Sequence, residues 1–318
     1  MFKVKLSCIM KVSFNMIPAF PKFERLLFEH KPHIEKHISK HPPYSDFNFT
    51  SLFSWGGEET YLSELNGNLV IKFRDYITNE PFYTFIGLNK VNETIKTLLE
   101  ESIKNNMHPK LKLIPEVALK ANPEILEQFD VQEDRDNFDY IYLLEEAKEF
   151  IGNKYRAKRN FINRFKKLYQ SSHRVIDLKN PKIQQEMLDL FSSWQRLKSR
   201  SDKDVDNELL AIKKILEFSK DLKLFCIGLY IDNKMVAFSI NEVLSDGYAM
   251  NLFEKADTTY QGIFPYLRQI TSIYLLELGS KFLSHEQDLG VEGLRKSKMS
   301  YNPNFFLKKY TVAHKRSI

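Results

Sequence analysis

Residues 222–253 read LKLFCIGLYIDNKMVAFSINEVLSDGYAMNLF, and this run decides the fold class. Two apolar segments, Leu222–Ile231 and Lys234–Val243, flank Asp232 and Asn233, residues that tolerate the left-handed backbone of a tight hairpin turn. Gly247–Phe253 continues as a third strand, so the stretch predicts an antiparallel meander. Downstream, apolar periodicity predicts a helix over Ile263–Leu278, then strands at Lys281–Leu283 and near Phe305–Val312. Upstream lie a strand at Arg174–Leu178 and helices at Lys182–Lys198 and Asp206–Lys220. The expectation is an α+β unit whose mostly antiparallel sheet is flanked by helices.

A second unit of similar order precedes it. A helical pattern from Lys22 to His41 stops at Pro42 and Pro43. Tyr61–Leu65 and Leu69–Arg74 form a hairpin across Asn66 and Gly67, which suit a type I′ turn. A strand at Pro81–Leu88 and a helix at Val91–Lys104 follow, then strands Leu111–Ile114 and Phe138–Leu143 around a helix begun at Pro115. Acids dominate from Asp130 to Glu149 and the sign reverses at Lys154, which places a domain boundary near residue 148. Residues 17–148 are then the first unit and 149–318 the second, with residues 1–16 as an N-terminal extension.

Composition narrows the function. At 318 residues, with 43% hydrophobic residues, 25 Phe and 15 Tyr, the chain can bury a substantial core. There is no G-x-G-x-x-G, no P-loop and no G-x-S-x-G elbow, so dinucleotide, P-loop and serine-hydrolase readings lack support. Cys8 and Cys226 form no C-x-x-C pair. His30, His33, His37 and His41 recur at helical spacing, but no carboxylate or cysteine completes a metal set, so no metal is expected and exposed histidines are. No apolar run approaches the roughly 20 residues of a membrane span, and the N-terminus lacks a signal-peptide block. The chain therefore reads as cytoplasmic. A net charge of +6 favours polyanionic partners.

Residues 286–303, EQDLGVEGLRKSKMSYNP, concentrate Glu286, Asp288, Glu292, Arg295, Lys296 and Lys298 just past a strand end. Such strand-end loops are where α/β proteins place sites. A solvated helix carrying Glu292–Arg295 and Glu292–Lys296 pairs is the plainer explanation. The pattern E-x-D-x-G-x-x-G-L-R-x-x-K-x-x-Y-x-P resembles the signature of proteins similar to the C-terminal domain of phosphatidylglycerol lysyltransferase. Residues 44–55, YSDFNFTSLFSW, resemble the entry motif of that family, and residues 154–167 resemble its basic mid-chain helix. The resemblance spans residue 40 to the end. It implies two tandem folds of the GNAT acyltransferase type, and transfer of an amino acid from charged tRNA to a lipid, peptide or amine acceptor. Asp288 and Glu292 are then the candidate catalytic carboxylates. Glu286, Arg295 and Lys298 are candidates for substrate binding. Aminoacyl-tRNA would be the donor, with no resident cofactor.

Two further segments fit this reading. The basic helix, Asn153–Gln170, carries Arg156, Arg159, Arg164, Lys166 and Lys167 and no acid. Its expected apolar face holds Tyr155, Phe161, Ile162, Phe165, Leu168 and Tyr169. The cations suit tRNA phosphates or an anionic lipid surface, the latter making the protein peripheral at the membrane. Glu254, Gln261 and Gly262 mark the strand–loop–helix step where a GNAT fold holds its acyl donor. Coenzyme A as donor is the alternative, although the usual [RQ]-x-x-G-x-[GA] spacing is absent. A non-catalytic polyanion-binding protein with the same fold is the other class left open.

Overall fold

The computed structural model describes residues 17–56, 59–196 and 202–315; the expected N-terminal extension lies outside the described residues. Strands β1 (Glu24–Arg25), β2 (Tyr61–Leu65), β3 (Asn68–Arg74) and β4 (Pro81–Ile86) form one antiparallel sheet. It packs with helices α1 (Lys31–Ile38), α2 (Phe49–Trp55) and α3 (Val91–Lys104). Strand β5 (Lys110–Pro115) runs beside β4 without joining its ladder. Short helices α4 (Glu116–Lys120) and α5 (Ile125–Gln128) lead to β6 (Phe129–Glu133). Next come β7 (Asp139–Leu143), α6 (Leu144–Glu149), α7 (Arg156–Leu168), β8 (Ser171–Val175), α8 (Pro181–Arg196) and α9 (Asp202–Glu217). The meander is β9 (Leu224–Ile231), β10 (Lys234–Val243) and β11 (Tyr248–Ala256). Helix α10 (Ile263–Glu277), β12 (Phe282–Ser284), α11 (Glu292–Met299), β13 (Phe305–Leu307) and β14 (Lys309–His314) finish the chain.

The sheets run β1-β2-β3-β4, then β5-β14-β6, and, in the second unit, β13-β7-β12-β11-β10-β9-β8. Each unit thus has four antiparallel strands, a helix, a further strand and a closing pair. The architecture is a tandem of GNAT-like folds. Hydrogen bonding crosses residue 148 in both directions. Strand β7, from the first half, lies between β12 and β13, and β14, from the end of the chain, lies between β5 and β6.

At this reciprocal exchange sits Lys309, the first residue of β14, with no exposed surface. Its ammonium meets Asp139, the first residue of β7, at 2.9 Å and also contacts Asp46. Ser45 accepts from Lys309 at 3.2 Å and donates to Asp139 at 2.5 Å, so one cation joins three distant segments. Burial works against the charge on Lys309, but Asp139 and Asp46 together raise its pKa. Burial also pushes the Asp139 carboxyl up, against the pull of Lys309.

Several sequence expectations change. The helix expected over Lys22–His41 begins only at Lys31, after the two-residue strand β1. His30 is buried rather than exposed, and its Nδ1 accepts from the Leu27 amide at 3.0 Å. Strand β6 was not expected, and Phe305–Val312 is two strands divided at Lys308 because each half pairs in a different unit. Helix α7 buries Tyr155 just ahead of it, Ile162 and Phe165, but leaves Phe161 and Leu168 exposed. Among the described residues no helix is long and apolar enough to cross a membrane.

Lys309→Met should cost about 3–5 kcal/mol, because it leaves two buried carboxylates unpaired. Thermal unfolding would show a fall in Tm that is partly recovered when Asp46→Asn and Asp139→Asn are added. An unchanged Tm in the single variant would contradict the anchoring role.

Candidate functional site

Strands β11 and β12 are parallel but pair over only three rungs, Tyr248–Phe282, Ala249–Leu283 and Met250–Ser284. Beyond them β11 continues to Ala256, while residues 285–288 turn aside to follow β7, with Tyr140 donating to the Glu286 carbonyl at 3.2 Å. A wedge opens between the two arms. A register shift in the β10–β11 pairing at Ile240/Asn241 lies beside it, and such bulges re-aim side chains near sites. In the first unit the connection from β4 to α3 is bridged by Asn68, whose amide donates to the Asn89 carbonyl at 2.7 Å and to Thr94 at 3.1 Å.

The arm at residues 285–288 is held under constraint. Glu286 has φ +52, a left-handed conformation unfavourable for a non-glycine residue. Buried Lys298, from α11, donates to the carbonyls on both sides of it, His285 and Gln287, at 2.5 Å each. The Glu286 carboxylate accepts from the Ser51 hydroxyl at 3.0 Å, and Gln287 reaches Ser45 and Asp46. The two motif segments, residues 44–55 and 286–303, therefore meet directly. Burial pushes Glu286 up to about 7, against the opposing charge of Lys298. Burial also pulls Lys298 down to about 8, although Glu286 favours its charged form.

Across the wedge, Glu254 of β11 stands 3.8 Å from Nε2 of His285. Burial holds His285 down to about 3, so it is neutral near pH 7. Burial disfavours ionised Glu254, but His285 and Arg268 bring its pKa below the usual range. Arg268, from α10, is only 3% exposed and lies over the Tyr301 ring at 4.0 Å. Its Nε and Nη1 have no hydrogen-bond partner among the described residues, and neither has His285 Nε2. Buried donors left without an acceptor are costly to keep in an interior, and such groups cluster at functional sites. Sequence reading missed Arg268; the available signal was a lone cation in a helix whose one other charge is its last residue, Glu277.

Other expected site residues take different places. Asp288 is buried and its oxygens are engaged by Arg295 (2.7 and 3.0 Å), Arg135 (3.3 Å), the Gly290 amide (2.9 Å) and the Tyr140 hydroxyl. Burial opposes ionisation there, but Arg295 and Tyr140 hold the Asp288 carboxyl below its ordinary value. Arg295 also reaches Asp136 at 2.5 Å. Asp288 and Arg295 thus close a structural ion cluster. Glu292 lies on the exposed side of α11, paired with Lys296 at 2.6 Å. Of the two carboxylates expected to act on substrate, Asp288 is thus saturated by protein partners and Glu292 faces solvent.

Gly262 is required for packing. Its φ is +88, and a Cβ there would stand 2.2 Å from the Phe161 carbonyl oxygen of α7. Gln261 is exposed in the loop before it. In the basic helix, Arg159 donates to the Phe150 and Gly152 carbonyls, and Lys166 donates to Gln269 at 3.2 Å. Arg156, Arg164 and Lys167 are exposed. Among the described residues no group of three or more His, Cys, Asp or Glu could hold a metal ion.

Comparison with known proteins follows the same lines. A solved protein of unknown function from Bacteroides thetaiotaomicron is 28% identical, with a TM-score of 0.79 over 94% of this chain and 100% of that one. The L-PGS structure from Bacillus licheniformis gives a TM-score of 0.61 at 14% identity, over 93% of this chain and 94% of that one. An uncharacterised protein of Mycoplasmoides gallisepticum is 24% identical over 173 residues, 54% of this chain and 55% of that protein. The chain thus matches about half the length of this curated relative. Residues 40–313 match the family described as phosphatidylglycerol lysyltransferase, C-terminal. The chain belongs to that family.

Proposed function

We propose that the chain is an acyltransferase that moves an aminoacyl group from charged tRNA directly to a hydroxyl or amine acceptor. The observation that carries this reading is the buried group of Glu254, His285 and Arg268 where β11 and β12 part, with Glu286 the next residue after His285 on the same arm. An aminoacyl ester combines an ammonium group with a carbonyl that becomes an oxyanion during transfer. Ionised Glu254 suits the ammonium, and the free N–H groups of Arg268 suit the oxyanion. Glu286, poised at about 7, is the general base that takes the acceptor's proton as the acceptor attacks the carbonyl. Collapse of the tetrahedral intermediate breaks the ester bond, and the ribose hydroxyl leaves with a proton that Glu286 can return. Asp288, Arg295 and Lys298 are positioning residues, since they fix the loop that carries Glu286.

A direct transfer needs no cofactor, and the acceptor class stays as broad as lipid, peptide or amine. Coenzyme A as donor has less support. The glycine spacing for its phosphates is absent, and packing against Phe161 already explains Gly262.

Glu286→Gln should abolish transfer of a labelled amino acid from a mixture of charged tRNAs while preserving the fold. Asp288→Asn should instead lower Tm, because a neutral amide cannot balance Arg295 and Arg135. A fully active Glu286→Gln protein would overturn the base assignment.

The same carboxyl has a pH signature. Its folded-state value is raised, so its favourable contribution is present below the ordinary carboxylate range and is lost as pH rises toward 7. The Tm of Glu286→Gln relative to the parent should therefore be higher at about pH 8 than at about pH 5. A difference independent of pH would show that Glu286 titrates normally.

A further inference from the structure

Helix α7 leaves apolar side chains in solvent where an amphipathic helix would bury them. Phe161 is 48% and Leu168 53% exposed, and Ile151, in the turn leading into the helix, is 67% exposed. Ala157, Phe161, Arg164 and Leu168 follow at steps of four, three and four residues, which places them in one stripe along the helix. Exposed Arg156, Arg164 and Lys167 lie in or beside the stripe, and the helix contains no acid. The geometry is also fixed. Arg159 grips the carbonyls of Phe150 and Gly152, which hold Ile151 between them, and the Phe161 backbone is seated against Gly262.

We propose that this face of α7 docks on an anionic lipid bilayer, with Phe161 and Leu168 entering the headgroup–acyl boundary and Arg156, Arg164 and Lys167 meeting lipid phosphates. The inference goes beyond the acyl-transfer reading and does not depend on it. Charge complementarity selects a polyanion, and the nature of the apolar residues selects among polyanions. An RNA surface uses cations with aromatic rings on which bases stack, and Leu168 cannot serve in that way. Aliphatic and phenyl side chains flanked by arginine and lysine are the composition of a helix lying in a membrane interface. Each buried apolar group adds affinity in proportion to the area it removes from water, and each cation adds a salt-sensitive attraction.

The test is co-sedimentation of the full chain with vesicles in which about a third of the lipid is phosphatidylglycerol, against neutral phosphatidylcholine vesicles. The parent protein should bind the anionic vesicles, and binding should weaken with salt. Phe161→Ala with Leu168→Ala should weaken it by about tenfold or more while the net charge is unchanged. Arg164→Gln with Lys167→Gln should weaken it and flatten the salt dependence. Phe161→Trp should add indole fluorescence that is quenched by brominated acyl chains, beyond the parent's own quenching. Circular dichroism and Tm confirm that each variant is folded, as expected for exposed positions. No binding by the parent, or apolar variants that bind anionic vesicles as well as the parent, would overturn the proposal. So would apolar variants that lose tRNA binding alone, because the face would then be an RNA surface.

Discussion

The Lys309 ion cluster is the constraint on which the rest of the architecture depends. Two strands leave their own halves of the chain and enter the opposite sheets, and their first residues, Asp139 and Lys309, face each other at the crossing. An exchange of this kind needs a fixed register, because a slip of one residue would turn every side chain of β7 and β14 to the wrong face. A buried lysine with two carboxylate partners supplies it: any other register strands a charge in the interior. The same cluster reaches Asp46 and Ser45, which lead into α2, and so brings Ser51 to Glu286. Fold and site are therefore coupled through one ammonium group.

Elements of both units are legible in the sequence. Strand β10 and helix α3 fall where their apolar periods place them, and the Asp232–Asn233 turn has the positive φ values that its residues allow. What local pattern cannot show is partnership. The run through Phe305 to Val312 has the composition of one strand, and only tertiary pairing divides it at Lys308. Strand β6, with the sequence FDVQE, carries two acids in five residues and reads as a loop until β14 pairs with it. The meeting of Ser51 with Glu286 spans 235 residues, and its only trace in the sequence is that both lie in motif segments.

The charged signature illustrates how similar residues divide their work. Asp288, Arg295 and Lys298 look chemical in sequence, yet each is fully engaged in holding residues 285–288. Glu286 is the member whose backbone is strained and whose carboxylate has a single hydroxyl donor at 3.0 Å. Strain retained by the surrounding contacts accords with the proposal that Glu286 is positioned for chemistry. Glu254 is marked in the sequence by its place at the strand–loop–helix step, whereas Arg268 carries little signal, because a lone cation in an apolar segment reads as an interruption.

The account rests on Glu286 being a carboxyl tuned to neutral pH. Carbon-13 NMR of the protein labelled at glutamate carboxyls, compared with Glu286→Gln, measures this directly. One resonance, absent from the variant, should titrate near 7. If every glutamate instead titrates in the ordinary range, about 4 to 5, Glu286 is not a base at neutral pH and the proposed chemistry fails.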